Sequence, residues 1–207
     1  MPYQSSEKTR QKKDAKRTAM MQAAVRTFAE QGYQAATVRD IVDEADVSVG
    51  TFYFYFPDKE TLFVHLYEET ADFLLQTLQQ AINSRATFPQ RVKAALQSYV
   101  SIAIYEPAVV QLMLVAGVGA VPALDDRRVK FRESMVSLWE RPLKDAQDKH
   151  MLVEQNVRLT AVALAGAIDD AILGLLSRAE RVEEAPVFTR ELNRFVVRAA
   201  GYLGEAE

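Results

Sequence analysis

Cysteine is absent from all 207 residues, which excludes disulfides, zinc–thiolate sites, iron–sulfur clusters and thiol nucleophiles. His65 and His150 are the only histidines, too few for a multi-His metal site. His65 stands three and four residues before Glu68 and Glu69, but with no second His nearby a solvated helix face is the better reading than a metal half-site. Glycine and proline number eight and seven, so chain breaks are few. Clean apolar runs of about 18–20 residues are missing as well. Gln111, Gly117, Gly119 and Pro122 interrupt Val109–Ala123, and Asp169 and Asp170 interrupt Ala161–Leu176. Met1–Arg17 has no apolar centre of the kind a signal peptide needs. The expectation is a cytoplasmic protein with no membrane association. No P-loop or G-x-G-x-x-G is present, since Gly117 and Gly119 lack the flanking strand that fingerprint requires. A nucleophile elbow and a convincing base are missing too, so no enzyme activity, cofactor or metal is expected.

What is present reads as a globular chain: 49% of residues are hydrophobic and 26% charged, enough to bury a core unaided. The net charge of −3 is unevenly spread. Residues 1–17 hold six Lys/Arg (Lys8, Arg10, Lys12, Lys13, Lys16, Arg17) against Glu7 and Asp14, a net +4, which leaves −7 on the remainder. A basic arm on an acidic body points to one local anionic partner; a solvated tail is the alternative on charge alone.

Helical periodicity runs almost throughout and strand alternation is nearly absent, so the fold class is all-α, with roughly nine helices. Met21, Ala24, Val25 and Phe28 form one stripe on a first helix that starts near Lys13–Arg17 and ends at Gln31, before Gly32. Thr37 and Asp40 read as a capping box opening Val38–Ala45, and Ser48 as the cap of Val49–Phe56. Pro57 ends that helix and Asp58 caps a long fourth one reaching about Ser84. Further helices are expected over 88–105, 109–118, 124–149 with a kink or break at Pro142, 156–177 and 186–203. The chain divides into a basic flexible arm (1–13), a head (14–74) and a body (75–207).

Two helices joined by a tight turn at Asp46-Val47, the second one short, make a helix-turn-helix. In that arrangement the second helix enters the major groove. Here it carries Val49, Gly50, Thr51, Phe52, Tyr53, Phe54, Tyr55 and Phe56, residues indifferent to helix formation. Phe52 and Phe56 share one face and are expected to pack on Ile41, Phe28 and Leu62. The other aromatics circle the helix and cannot all face one core. Gly50 permits close backbone approach, and the Ser48 and Thr51 hydroxyls beside free helix-terminal amides suit phosphate.

The stretch TVRDIVDEADVSVGTFYFYFPDKE, beginning at Thr37 and running through Lys59, resembles the DNA-binding motif of the TetR family of bacterial transcriptional regulators. The run Ala24–Tyr33, of the form A-x-x-x-F-A-E-x-G-Y, extends the likeness upstream. The resemblance implies an N-terminal DNA-binding domain with its motif at 37–56, a dimeric effector-binding body, and no catalysis. It implies that Thr37 and Arg39 contact phosphate and base edges. It assigns Thr51, Tyr53, Tyr55 and Lys59 to phosphates, and Val49, Gly50 and Phe54 to base edges. Val49 and Phe54 are apolar, so thymine methyl contacts fit them better than hydrogen-bonded readout.

The body offers two further readings. Leu164, Ile168, Ile172 and Leu175 form one stripe, and Phe188, Leu192 and Phe195 another, so both helices are expected to pair with their symmetry mates in a homodimer. Tyr99, Tyr105, Met113, Phe131, Met135 and Trp139 are candidates to line a cavity for a small lipophilic or aromatic effector, with Asp169 or Asp170 as its polar anchor. The expected function is therefore a ligand-responsive repressor that an effector releases from palindromic operator DNA. The rivals are an all-helical enzyme or carrier with an incidental helix-turn-helix, and an architectural DNA-binding protein without an effector.

Overall fold

The computed structural model describes residues 7–115, 119 and 121–204, with side chains from residue 15 onward. Among these, the chain forms nine α-helices and one 3₁₀ turn: α1 (Glu7–Ala35), α2 (Val38–Glu44), α3 (Val49–Tyr55), α4 (Lys59–Asn83), α5 (Phe88–Tyr105), α6 (Pro107–Leu114), the turn Pro122–Leu124, α7 (Asp125–Asp148), α8 (Val157–Leu176) and α9 (Arg181–Ala199). The all-α expectation holds.

The boundaries shift in four places. Helix α1 begins at Glu7, so residues 7–13, expected as a flexible arm, have helical backbone; residues 1–6 lie outside the described residues. Helix α6 ends at Leu114 rather than at 118. Helix α7 runs through the buried Pro142 without a break. Helix α9 runs over Arg181–Ala199 rather than 186–203, with Pro186 inside it rather than at its head.

Local chemistry accounts for the junctions. Gly32 takes φ 76° and ψ 161°, a region essentially closed to other residues, and kinks the end of α1. Thr37 caps α2 in a reciprocal box: the Asp40 amide donates to Thr37 Oγ1 (3.2 Å) and the Thr37 amide to Asp40 Oδ2 (2.8 Å). Ser48, Asp58 and Asn156 cap α3, α4 and α8 by accepting from the amides of Thr51, Thr61 and Leu159. The C-terminal end is pinned by Leu152 and Tyr202, which pair in an isolated antiparallel bridge.

Two connections join head to body. Helix α4 leaves the head and continues along α5 and α7, and α1 packs directly on α6. Sequence reasoning found the first of these and not the second. Helix α8 is, among the described helices, long and apolar enough to cross a membrane by length and composition alone. In this fold one face of α8, with Ala161, Leu164, Ala165, Ile168, Ile172 and Leu175, is buried in the protomer's own core, while Leu159 and Val162 stay exposed.

Candidate DNA-binding face and body sites

The head is built around an aromatic core. Phe28, Ile41, Val42, Phe52, Phe56, Leu62 and Phe63 are buried, and Phe28 meets Phe63 edge-on at 4.6 Å between centroids. Burying Phe52 and Phe56, four residues apart, fixes how α3 is rolled about its axis. The roll turns Val49, Tyr53 and Phe54 outward; Tyr53 is 56% and Phe54 66% exposed. Such large apolar side chains left in water on a short helix mark an interaction surface. Phe54 stands edge-on to the half-buried Tyr55 at 5.0 Å. A Cβ added at Gly50 would meet nothing nearer than Ser48 Oγ at 3.9 Å, so the space over this glycine opens to the outside of the molecule.

The polar candidates stand at the starts of α2 and α3. Ser48 Oγ and Thr51 Oγ1 are 3.0 Å apart at the start of α3. Thr37 and Arg39 are exposed at the start of α2. The Thr37 hydroxyl also donates to Asp40 Oδ2 (2.7 Å), and these Thr37 bonds hold the Asp40 carboxyl below its ordinary pKa. Lys59 is placed differently from expectation. Its Nζ donates to the Tyr33 and Ala36 carbonyls at 2.7 Å each and sits 4.3 Å from the Tyr33 ring centroid. Two of its three N–H groups thus close the end of α1, where a cation suits the helix dipole, and burial lowers its pKa.

In the body, the proposed effector residues separate. Tyr99, Met113, Met135 and Trp139 are buried in the core. Tyr99 Oη donates to Asp169 Oδ1 (3.0 Å), while Asp170 is exposed, so Asp169 is the inward one of the two. Burial pushes the Asp169 carboxyl up to about 6, against the Tyr99 hydrogen bond and the Arg132 guanidinium 3.9 Å away, which both favour its charge. Burial, then the neighbouring carboxylate, raises Tyr99 well above its ordinary value. Trp139 Nε1 is buried with no acceptor. Phe131 instead lines a groove with Tyr67 between α4 and α7. Tyr105 is 76% exposed and belongs to another cleft, between α5 and α9.

The interface residues need correction. Leu164, Ile168, Ile172 and Leu175 are buried inside the protomer, as is Leu192. Their faces, on α8 and for Leu192 on α9, are already covered by the protomer's own core. Phe188 is half-buried, and Phe195, at 50% exposure, does face outward. The outer side of α8 instead presents Leu159, Val162, Ala163, Asp170 and Gly174.

Residues 20–66 match the model of the family described as "Bacterial regulatory proteins, tetR family". The transcriptional repressor KstR2 of Rhodococcus jostii RHA1 is 29% identical over 141 residues, covering 64% of this chain and 68% of that protein. A tetR-family regulatory protein from Rhodococcus RHA1 superposes with a TM-score of 0.78 at 18% identity, covering 91% of this chain and 98% of that one. The chain belongs to the tetR family of bacterial regulatory proteins. As a tetR-family protein it is a DNA-binding transcriptional regulator. Bacillus subtilis FadR, solved with stearoyl-CoA, shares the fold with a TM-score of 0.73 at 20% identity over 84% of this chain and 96% of that one. The fatty acid metabolism regulator protein of B. subtilis is 29% identical over 40% of this chain. The chain spans 43% of that regulator's length. In this tetR-family member, the matched segment runs from the middle of α1 into α4, over the surface that carries Arg39, Tyr53 and Phe54.

Proposed function

We propose that this regulator is a homodimeric repressor whose α2–α3 surface binds a palindromic operator and whose body takes a lipophilic effector that releases it. The exposure of Tyr53 and Phe54 on a helix whose roll is fixed by buried Phe52 and Phe56 carries the reading. In it, α3 enters the major groove with Val49, Gly50 and Phe54 against base edges. Thr37, Ser48, Thr51, Tyr53 and Tyr55 meet phosphates, as does the third N–H of Lys59, and Arg39 reads a guanine edge. The dimer seam is the outer side of α8 and α9, with Leu159, Val162, Val187 and Phe195 exposed there. Ala163 and Gly174 on that side permit close helix approach.

The effector site is the core around Trp139, Tyr99 and Asp169. An indole N–H buried without an acceptor favours a ligand that brings a carbonyl. The apolar surroundings favour an acyl chain, and the relation to fatty-acid regulators supports an acyl thioester. Such a ligand must part α5 and α7, and both α4 and the α1–α6 contact can carry that displacement to the head. Because half-site spacing on DNA is fixed, a changed distance between the two α3 helices lowers affinity. Selecting bound fragments from random duplex DNA tests the operator part. A symmetric consensus with half-sites about one helical turn apart is expected; an asymmetric or unenriched pool would overturn it.

A further inference from the structure

The body holds a second site, apart from the core around Trp139. Helices α5 and α9 diverge to leave an open cleft of about 560 Å³. That size falls in the range of roughly 300–1,000 Å³ typical of sites for one drug-sized ligand. Val100, Ile104, Ala185 and Pro186 supply an apolar wall with Asn193 and Thr189 beside it, and Lys93, Gln97, Ser101 and Arg190 also line the cleft. Asn193 is only 3% exposed, and its Oδ1 is buried with no hydrogen-bond partner. The neighbouring hydroxyl does not serve it, because Thr189 Oγ1 donates to the Ala185 carbonyl at 2.8 Å. An amide oxygen left unpaired beneath the cleft wall is costly, and a donor group that reaches it by a small turn of the Asn193 side chain removes that cost.

We propose that the α5–α9 cleft binds an apolar molecule bearing one neutral hydrogen-bond donor, a hydroxyl or an amide N–H, which donates to Asn193 Oδ1 while the apolar body lies along Val100, Ile104, Ala185 and Pro186. On α9, Asn193 is about 200° around the helix from Phe195 of the proposed dimer seam, while Val187 of the seam adjoins Pro186 and Arg190 at the cleft's rim. The site is independent of the operator reading, since its lining comes from α5 and α9 and includes no residue of the α2–α3 surface.

The test uses the full-length protein with 1-dodecanol and its donor-free counterpart, dodecyl methyl ether. Binding is followed by calorimetry and by the side-chain amide resonances of Asn193. Dodecanol is expected to shift those resonances and to bind about tenfold tighter than the ether, the value of one buried neutral hydrogen bond. Asn193→Leu should remove that preference. Ala185→Trp fills the cleft from its half-exposed rim and should abolish binding of both probes, which keeps the test decisive if the Asn193 variant does not fold. Equal affinity for the two probes, no binding of dodecanol, or binding that survives Ala185→Trp would overturn the proposal. So would shifts that gather at the Trp139 indole instead of Asn193.

Discussion

Tyr99 on α5 donates its hydroxyl to the Asp169 carboxylate on α8 across 3.0 Å, a polar tie inside an otherwise apolar body. Its charge has a definite pH signature. The Asp169 carboxyl titrates near 6 in the folded chain, above its ordinary 3.8. The folded state therefore disfavours the ionised form. No penalty exists below the ordinary value; it grows as pH rises from about 4 to 6 and is complete above. Relative to Asp169→Asn, the parent should lose about 2–3 kcal/mol of stability between pH 4 and pH 7. Denaturant unfolding of both proteins across that range checks it, and a difference independent of pH would contradict it.

Removing the donor should act in the same direction. Tyr99→Phe leaves Asp169 Oδ1 buried without its partner, at a cost of about 1–3 kcal/mol at neutral pH. The loss should shrink in Asp169→Asn, where no charge needs the hydroxyl, and a double-mutant cycle measures that coupling.

On the DNA-binding face, Tyr53→Ala should leave the melting temperature nearly unchanged, since that side chain is mostly exposed, yet weaken binding to all duplexes. Arg39→Ala should relax preference at one base pair by about 1–3 kcal/mol. Competition binding at two salt concentrations separates the effects. Full affinity in Tyr53→Ala would misplace α3.

Lys59→Met should affect both folding and binding. It removes two charge-assisted bonds to the end of α1, a loss of about 1–2 kcal/mol after allowing for its partial exposure. Thermal unfolding reads this cost, and normal stability would show that the contacts with α1 contribute little.

At the proposed seam, Phe195→Asp and Leu159→Asp should give folded monomers in sedimentation analysis. Ile168→Asp should instead destabilise the protomer by on the order of 4 kcal/mol or more, as an unpaired charge in a filled core does. Dimers that persist in both exposed-site variants would place the interface elsewhere.

The head was legible in the sequence because its signals are local. Capping residues at Thr37, Ser48 and Asp58 and the i, i+4 pair Phe52 and Phe56 set the helix limits and the roll of α3 within some twenty residues. The body was less legible because its arrangement depends on which face each helix gives to distant neighbours. On α8 the most apolar stripe was assigned to a partner, yet the protomer's own core needs it. On α9 the stripe through Phe188, Leu192 and Phe195 shares only Leu192 with the buried face, which runs on through Thr189, Asn193, Val196 and Val197. A sequence pattern weighted toward large apolar residues passes over a Thr and an Asn in the core. The bonds Lys59 makes to α1 are not legible in the sequence for a related reason: the carbonyls it reaches, at Tyr33 and Ala36, are more than twenty residues away in the chain.

The measurement that tests the account most directly is the dissociation constant of the selected operator duplex, with and without stearoyl-CoA, followed alongside Trp139 fluorescence. The account predicts tight binding alone, a fluorescence change on adding the acyl thioester, and release of the operator by about 5–150-fold, the range of ordinary allosteric coupling. Glucose at the same concentration should do neither. Ligand binding that leaves operator affinity unchanged, or release by the sugar and not by the acyl thioester, would contradict it.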